Sequence, residues 1–358
     1  FIGNSVRHGG SGGGLWVEGG ATATLNGSTR FLNNSAASSY TNRGAGGGVA
    51  VSSSSQVIIS DGCVLEENVA GSEDVGESQP ACLSGEGGAV YSSGSGVSLE
   101  GVILRRNRCE TGALDAGCSG GAVSVIGRGA SLEGGGSSAP TGEGEGERDE
   151  GGATFDSCVF ESNEARGSPS SSVYSGAGQQ GGAVAIRFSF PIFTNCNFTG
   201  NSADGGDGMA PATGGAIMLF LSRVVNARSG GGNPPPTTPT FVSRSCTFEG
   251  NRAGPIEDLK RSSGGDRGHG IGGALAAIAS SPVMIGCSFR NNSAVAAMPS
   301  RQGNGHAPVS IASPSFGGAI VFTSDCSGSR LSGCTLEGNT AIIGVGGDLA
   351  VFAVFLGW

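Results

Sequence analysis

The sequence predicts an all-β protein, namely a right-handed parallel β-helix in which coils of three short strands stack into a solenoid of about eight complete turns. Three observations predict this fold: an excess of glycine, short β-type apolar runs, and two motifs that alternate along the chain. Glycine supplies 70 of the 358 residues, and hydrophobic residues make up 37%. That glycine content excludes an ordinary helical or α/β enzyme, and collagen is excluded because the glycines follow no three-residue period.

The first motif is an aromatic residue or leucine followed three residues later by asparagine. It begins with Phe1 and Asn4. The later copies are Phe31 and Asn34, Leu65 and Asn68, Leu104 and Asn107, Phe160 and Asn163, Phe198 and Asn201, Phe248 and Asn251, Phe289 and Asn292, and Leu336 and Asn339. Because side chains alternate across a strand, we expect the phenylalanine or leucine to face the core. The asparagine is expected at a corner, where its amide bonds the equivalent asparagines of neighbouring coils in an asparagine ladder.

The second motif is a glycine pair that leads into a short apolar run, such as Gly47-Gly48-Val49 or the GGAV that starts at Gly87. It alternates strictly with the asparagine motif. The step from a glycine pair to the next asparagine is nearly constant, whereas the step from an asparagine to the next glycine pair varies widely. The first interval is therefore predicted to be scaffold and the second a variable loop. Glycine suits the corner between them because it allows left-handed or closely packed backbone.

Each coil contains three predicted strands, for example residues 49–52, 56–60 and 63–67. Such a small unit cannot bury its own apolar face, so neighbouring units must stack on one another. The crossover rule predicts a right-handed path. We therefore predict that residues 1–358 form a single β-helix domain and are a fragment of a longer chain. Two inserted loops are expected, an acidic one at about 134–150 and a proline-rich one at about 226–239.

The cysteines fall into two groups. Six precede the inward aromatic or leucine by two residues and should face the core as free thiols, because stacked side chains point the same way. They are Cys63, Cys158, Cys196, Cys246, Cys287 and Cys334. Cys109 and Cys118 flank one variable loop and are the pair most favoured for a disulfide. Since no CxxC pair occurs, the sequence indicates neither a metal nor another cofactor.

The alternation of GGA(I/L/V) with FxxN resembles the repeat of the chlamydial polymorphic outer membrane proteins, and the resemblance covers essentially the whole chain. It implies a surface-exposed β-helical passenger with the pectin-lyase-like architecture. Adhesion to host cells is attributed to these motifs in that family. The expected location is therefore extracellular, at the cell surface or on an outer membrane.

An enzyme of this architecture would need carboxylates or basic residues gathered on one outer face. The outward column predicted for the first strand offers no acid or base, since it contains Trp16, Ala50, Tyr91, Ser124, Ala185, Met218, Ala276, Val321 and Ala350. The outward column of the third strand contains Glu66, Arg105, Glu161, Thr199, Glu249, Arg290 and Glu337. This second column predicts a salt-bridge ladder, because opposite charges on neighbouring strands pair.

These patterns predict a non-catalytic, secreted or cell-surface protein that displays loops and outer faces for adhesion or recognition. Trp16, Tyr91 and Met218 form the candidate outer binding face, for an unknown glycan or protein ligand. A net charge of −9 argues against a nucleic-acid partner, and no apolar run is long enough to span a membrane. Two alternatives remain open: a polysaccharide lyase or hydrolase, and a structural spacer within a larger surface protein.

Glycosylation is a further expectation. Sequons of the form N-x-S/T begin at Asn26, Asn33, Asn197 and Asn291, and none of them uses a ladder asparagine. The last three fall on outward positions of the repeat, so a glycan there is sterically compatible with the coil.

Overall fold

A computed structural model of the chain confirms the all-β parallel β-helix. It describes residues 1–7, 9–38, 43–71, 85–111, 117–127, 152–167, 179–205, 211–220, 241–254, 269–296, 315–323, 326, 328–342 and 344–352. Within these segments every regular element is a β-strand, and all paired strands run parallel. The predicted inserted loops at 134–150 and 226–239 lie outside the described residues.

Three sheets correspond to the three predicted strands of each coil. Sheet 1, which follows the glycine pair, contains Leu15–Val17, Val49–Val51, Val90–Ser93, Val123–Ile126, Val184–Arg187, Ile217–Phe220, Leu275–Ile278, Ile320–Thr323 and Leu349–Phe352. Sheet 2 contains Thr22–Leu25, Gln56–Ile59, Gly96–Glu100, Ala153–Asp156, Ile192–Thr194, Phe241–Arg244, Pro282–Ile285 and Arg330–Ser332. Sheet 3 contains Arg30–Leu32, Val64–Glu66, Ile103–Arg105, Val159–Glu161, Asn197–Thr199, Thr247–Glu249, Ser288–Arg290 and Thr335–Glu337.

Two further strand positions, which the sequence patterns did not reveal, flank the variable loops. Sheet 4 follows the ladder asparagine and contains Ser5–Val6, Ser35–Ala37, Val69–Gly71, Arg108–Glu110, Glu164–Arg166, Ser202–Asp204, Arg252–Ala253, Ser293–Val295 and Thr340–Ile342. Sheet 5 precedes the glycine pair and contains Gly44–Ala45, Gly85–Glu86, Gln179–Gln180, Ala212–Thr213, Gly270–Ile271, Ser315–Phe316 and Gly344–Val345. Ser119 bridges Glu86 and Gln180, so sheet 5 is continuous across that coil. These strands are too short to show a two-residue period in the sequence.

Stacked phenylalanines fill much of the core. Phe160 and Phe198 have ring centroids 4.6 Å apart, and Phe198 and Phe248 have centroids 4.8 Å apart. Phe248 and Phe289 continue the column at 4.6 Å with nearly parallel rings. The in-register pairing of sheet 3 sets this spacing, because adjacent strands lie roughly 4.8 Å apart. All four side chains are fully buried, so the motif phenylalanines act as core residues.

The inward cysteines are free thiols beside the phenylalanines, and all of them except the half-buried Cys334 are buried. The Cys196 amide donates a hydrogen bond to the Cys246 sulfur at 3.4 Å. The hydrogen bond between the thiols of Cys158 and Cys196, together with burial, raises the pKa of Cys196 to about 12. The Cys196 thiol therefore stays protonated at neutral pH and packs as a small apolar group. Cys109 and Cys118 are joined by a disulfide across Cα atoms 5.9 Å apart, and both residues are buried.

The glycine corner has two different requirements. The first glycine adopts left-handed backbone, with φ of +70° at Gly120. The second has no room for a side chain, because a Cβ added at Gly121 would lie 2.0 Å from the carbonyl oxygen of Gly182. Where three glycines occur in a row, the structural pair lies one residue earlier than the sequence analysis placed it. Gly46 has φ of +63°, like Gly87 at +64°, and Gly48 occupies the position of the GGA alanine.

Candidate functional site

From Asn34 to Asn339, the asparagines of the repeat motif are buried in the rod and bonded to one another. The backbone amide and Nδ2 of Asn163 both donate to Oδ1 of Asn201 at 3.0 Å. Asn163 Nδ2 also donates to the Leu104 carbonyl at 2.9 Å. The same arrangement recurs along the ladder, and at its last coil Asn339 Nδ2 donates to Oδ1 of Asp348 at 3.0 Å. Since these side chains are buried and bonded, they hold the scaffold together and offer nothing to a ligand.

Trp16 is an exposed aromatic residue on the outer face of sheet 1. Its side chain is 56% exposed, and its indole Nε1 lies 3.4 Å from the Ser52 hydroxyl of the next coil. Its neighbour in register, Ala50, is buried. The indole ring is therefore held on a rigid sheet with much of its surface in water.

The other two members of the candidate outer binding face are not similarly available, which corrects the sequence analysis. Met218 is only 1% exposed. Tyr91 is half-buried, and burial, with a smaller contribution from the Glu86 carboxylate, raises the pKa of Tyr91 to about 12. Strand alternation determines which face a side chain occupies but does not reveal whether other parts of the chain cover that face. The accessible aromatic surface predicted on sheet 1 is thus reduced to Trp16.

A polar cluster around the buried carboxylate of Glu86, here called the Glu86 clamp, lies beside the outer face of sheet 1. It consists of Arg43, Glu86, Ser119, Gln180 and Arg187. Arg187 donates to Gln180 Oε1 at 2.7 Å, bonds the Ser119 hydroxyl, and lies 3.5 Å from Glu86. Arg43 also forms an ion pair with Glu86, whose side chain is only 2% exposed. The guanidinium of Arg187 thus ties together three consecutive coils.

Replacement of Arg187 by leucine is expected to lower the free energy of unfolding by about 2 kcal/mol, because a buried carboxylate loses one of its two cationic partners. Chemical denaturation measures the change. Arg290→Leu is the matched control, since Arg290 is 53% exposed and its ion pair with Glu337 spans 3.7 Å. That exposed pair is expected to contribute less than about 1 kcal/mol. Equal losses in the two variants would contradict a stabilising role for the Glu86 clamp.

The outer face of sheet 3 contains the expected salt bridges at two places, between Arg105 and Glu66 and between Arg290 and Glu337. Arg105 donates to Glu66 at 2.8 Å, and Arg106 pairs with both Glu66 and Glu67. The hydrogen bond from Arg105 lowers the pKa of the Glu66 carboxyl. This pairing therefore stabilises the fold at neutral pH and is lost as the pH falls through the lowered pKa. These charges neutralise one another across coils, as a structural ladder should.

Sheet 4 carries a second set of charged residues that the sequence analysis missed. Its outward positions on four neighbouring coils form the sheet 4 charged face, which consists of Arg108, Glu110, Glu164, Arg166, Asp204 and Arg252. Arg108 lies 2.6 Å from Glu110. Asp204 is only 2% exposed although it points away from the core, and burial is the main cause that raises the pKa of Glu164. A signal for this face exists in the sequence, because in these four coils a charged residue lies one position, three positions or both after the ladder asparagine, next to an inward alanine or cysteine.

No family model, curated protein or solved structure matches this chain. The similarity of its two motifs to the polymorphic outer membrane protein repeat therefore remains a resemblance. Across the described segments, no three histidine, cysteine, aspartate or glutamate side chains are grouped as ligands of a metal ion. None of the described segments forms an apolar helix of the length that a lipid bilayer requires.

Proposed function

We propose that the chain is a secreted or cell-surface β-helical repeat protein that recognises an external ligand with its outer faces and loops and does not transform it. The exposed indole of Trp16 on sheet 1 is the observation that carries this proposal. An aromatic ring fixed on a rigid support offers a large contact area at a small entropic cost. Such rings, apolar on the face and polar at the edge, are enriched at recognition surfaces.

The ligand chemistry that best fits Trp16 is a sugar ring. An indole face can pack against the C–H groups of a sugar, while nearby hydroxyl and carboxylate groups bond its hydroxyls. Ser52 lies beside the indole nitrogen, and the Ser53 hydroxyl donates to the Glu18 carboxylate at 3.2 Å on the same exposed rim. A surface glycan is therefore the proposed ligand class, in keeping with the adhesion that the motif resemblance implies.

Binding to an array of glycans and extracellular-matrix proteins tests this proposal. Trp16→Ala is expected to weaken binding of the captured ligand at least about tenfold, equivalent to roughly 1.4 kcal/mol, without lowering the melting temperature. The matched control is Ile285→Ala, which removes another large apolar side chain that is 42% exposed, on sheet 2. Binding that falls only in variants that also lose thermal stability would contradict the proposal.

A second candidate function is favoured by the sheet 4 charged face. It groups three carboxylates with three arginines, and the raised pKa of Glu164 is a property expected of a general acid. The corresponding activity would be that of a polysaccharide lyase or hydrolase. Product release from polyuronates by the native chain, abolished in Glu164→Gln and Asp204→Asn, would favour this function over recognition alone.

A further inference from the structure

Surface exposure separates the asparagines of the described segments into two classes with different downstream residues. The ladder asparagines from Asn34 to Asn339 are all buried, and the residue two positions after each is alanine or cysteine. That residue points inward in sheet 4, so it must be small and apolar, as at Ala165. A ladder asparagine is therefore kept out of the N-x-S/T sequon by the packing of the core.

The exposed asparagines show the opposite pattern. Among those in the described segments, Asn26, Asn33, Asn197 and Asn291 begin a sequon, whereas Asn4 and Asn195 do not. At Asn197, which lies in a strand of sheet 3 together with Thr199, strand alternation explains why the acceptor and the hydroxyl residue lie together. Residues i and i+2 share a face of a strand, so an outward asparagine places its serine or threonine on the same outward side.

We propose that Asn26, Asn33, Asn197 and Asn291 are N-glycosylation sites. This inference rests on the proposed secretion, in a cell whose secretory route supplies an oligosaccharide linked to a lipid diphosphate. In the transfer, Nδ2 of asparagine forms a bond to the anomeric carbon of the sugar, the bond from that carbon to the diphosphate oxygen breaks, and the nitrogen loses one proton. The lipid diphosphate is the leaving group.

The local geometry of the acceptors is compatible with an attached sugar. The Thr199 hydroxyl donates to Oδ1 of Asn197 at 3.0 Å, so the two side chains of this sequon already lie in contact on the exposed face of sheet 3. Asn33 and Asn291 occupy the left-handed corner immediately before the ladder, with φ of +53° and +52°. At that corner the side chain projects into solvent, and asparagine tolerates the backbone conformation better than most residues.

The four sites lie on one side of the rod. Asn26 is in the bend between sheets 2 and 3, Asn197 is on sheet 3, and Asn33 and Asn291 are at the corner between sheets 3 and 4. Trp16 lies on sheet 1, outside this stretch of the coil. Glycans at these positions would cover sheet 3 and the corners on either side of it. They would leave the Trp16 face of sheet 1 open to a ligand.

Secretion of the full chain from a eukaryotic host, followed by peptide mass spectrometry, tests the proposal. We expect sugar on all four asparagines of the folded, secreted protein, and one glycan fewer in each of Asn26→Gln, Asn33→Gln, Asn197→Gln and Asn291→Gln. Thr199→Val should remove the glycan at Asn197 although the asparagine remains. The matched control is Asn195→Gln, an exposed asparagine two residues away that lacks the downstream hydroxyl, and it should leave the glycan number unchanged.

Two results would overturn the proposal: secreted, folded protein without sugar at these four positions, or sugar confined to chains that are retained and misfolded. A third measurement checks compatibility with the fold, because enzymatic removal of the glycans should change the melting temperature by only a few degrees. A larger change would show that the sugars disturb buried structure and would also count against the proposal. Ligand binding by unglycosylated protein tests recognition separately, so failure of one proposal is distinguishable from failure of the other.

Discussion

Replacement of Asn163 by alanine is expected to lower the free energy of unfolding by about 3–6 kcal/mol, because it leaves several buried polar groups without partners. Oδ1 of Asn163 accepts hydrogen bonds from the backbone amide and the side-chain Nδ2 of Asn107, both at 3.0 Å. Its Nδ2 donates to the Leu104 carbonyl and to Asn201. Water cannot replace these contacts, since Asn163 and Asn107 are completely buried. Urea-induced unfolding followed by circular dichroism measures the loss.

Asn197→Ala is the control for the ladder prediction, because it removes the same amide group from an exposed position of the neighbouring coil. We expect its free energy of unfolding to stay within about 0.5 kcal/mol of the native value. If Asn163→Ala were as mild as this control, the asparagine ladder would not be a principal source of stability. The motif asparagines would then require a different explanation.

Alanine in place of Gly121 is also expected to be strongly destabilising, by more than about 4 kcal/mol or to the point of preventing folding. An added Cβ would lie 2.0 Å from the Gly182 carbonyl oxygen and 2.5 Å from backbone atoms of Glu164. Both obstacles are backbone of neighbouring strands, so no side-chain rotation can relieve the clash. Relief would require the coils to move apart, which would break ladder hydrogen bonds on both sides of the corner.

Gly96→Ala provides the comparison for the corner glycine. A Cβ at Gly96 would meet the Gln56 side chain at 3.4 Å, which is an ordinary contact, and Gly96 lies within a strand of sheet 2. This substitution is expected to leave stability unchanged or raise it by about 0.5 kcal/mol. Soluble yield and denaturant midpoints of the two variants make the comparison. A well-folded Gly121→Ala protein with native stability would contradict the close packing assigned to the glycine corner.

The repeat motifs predict the scaffold well because each places a residue under a strong physical constraint. A side chain such as Phe198 must face the core, an amide such as that of Asn201 must satisfy the corner, and Gly121 must admit neighbouring backbone. These constraints recur in every coil and appear in the sequence as alternation. The strands of sheets 4 and 5 escaped notice because they contain only two or three residues each and adjoin segments of variable length.

The candidate site was less predictable because exposure depends on the whole molecule. Alternation correctly places Met218 on the outer face of its strand. It does not predict whether other parts of the chain cover that face, so the burial of Met218 could not be predicted from the sequence. The sheet 4 charged face was missed for another reason, since without knowledge of that strand Glu110 and Glu164 read as loop residues. The prediction that the Trp16 side chain is exposed is confirmed. Trp16 lies on the outer face, and its neighbour in register, Ala50, is small.

Recognition without turnover is tested most directly by incubating the native chain with the glycan that it captures and analysing the recovered glycan by mass spectrometry. Recognition without chemistry predicts saturable binding that depends on Trp16 and complete recovery of the glycan at its original length. Shortened or unsaturated products whose formation requires Glu164 would contradict recognition without chemistry. They would identify the sheet 4 charged face as a catalytic site.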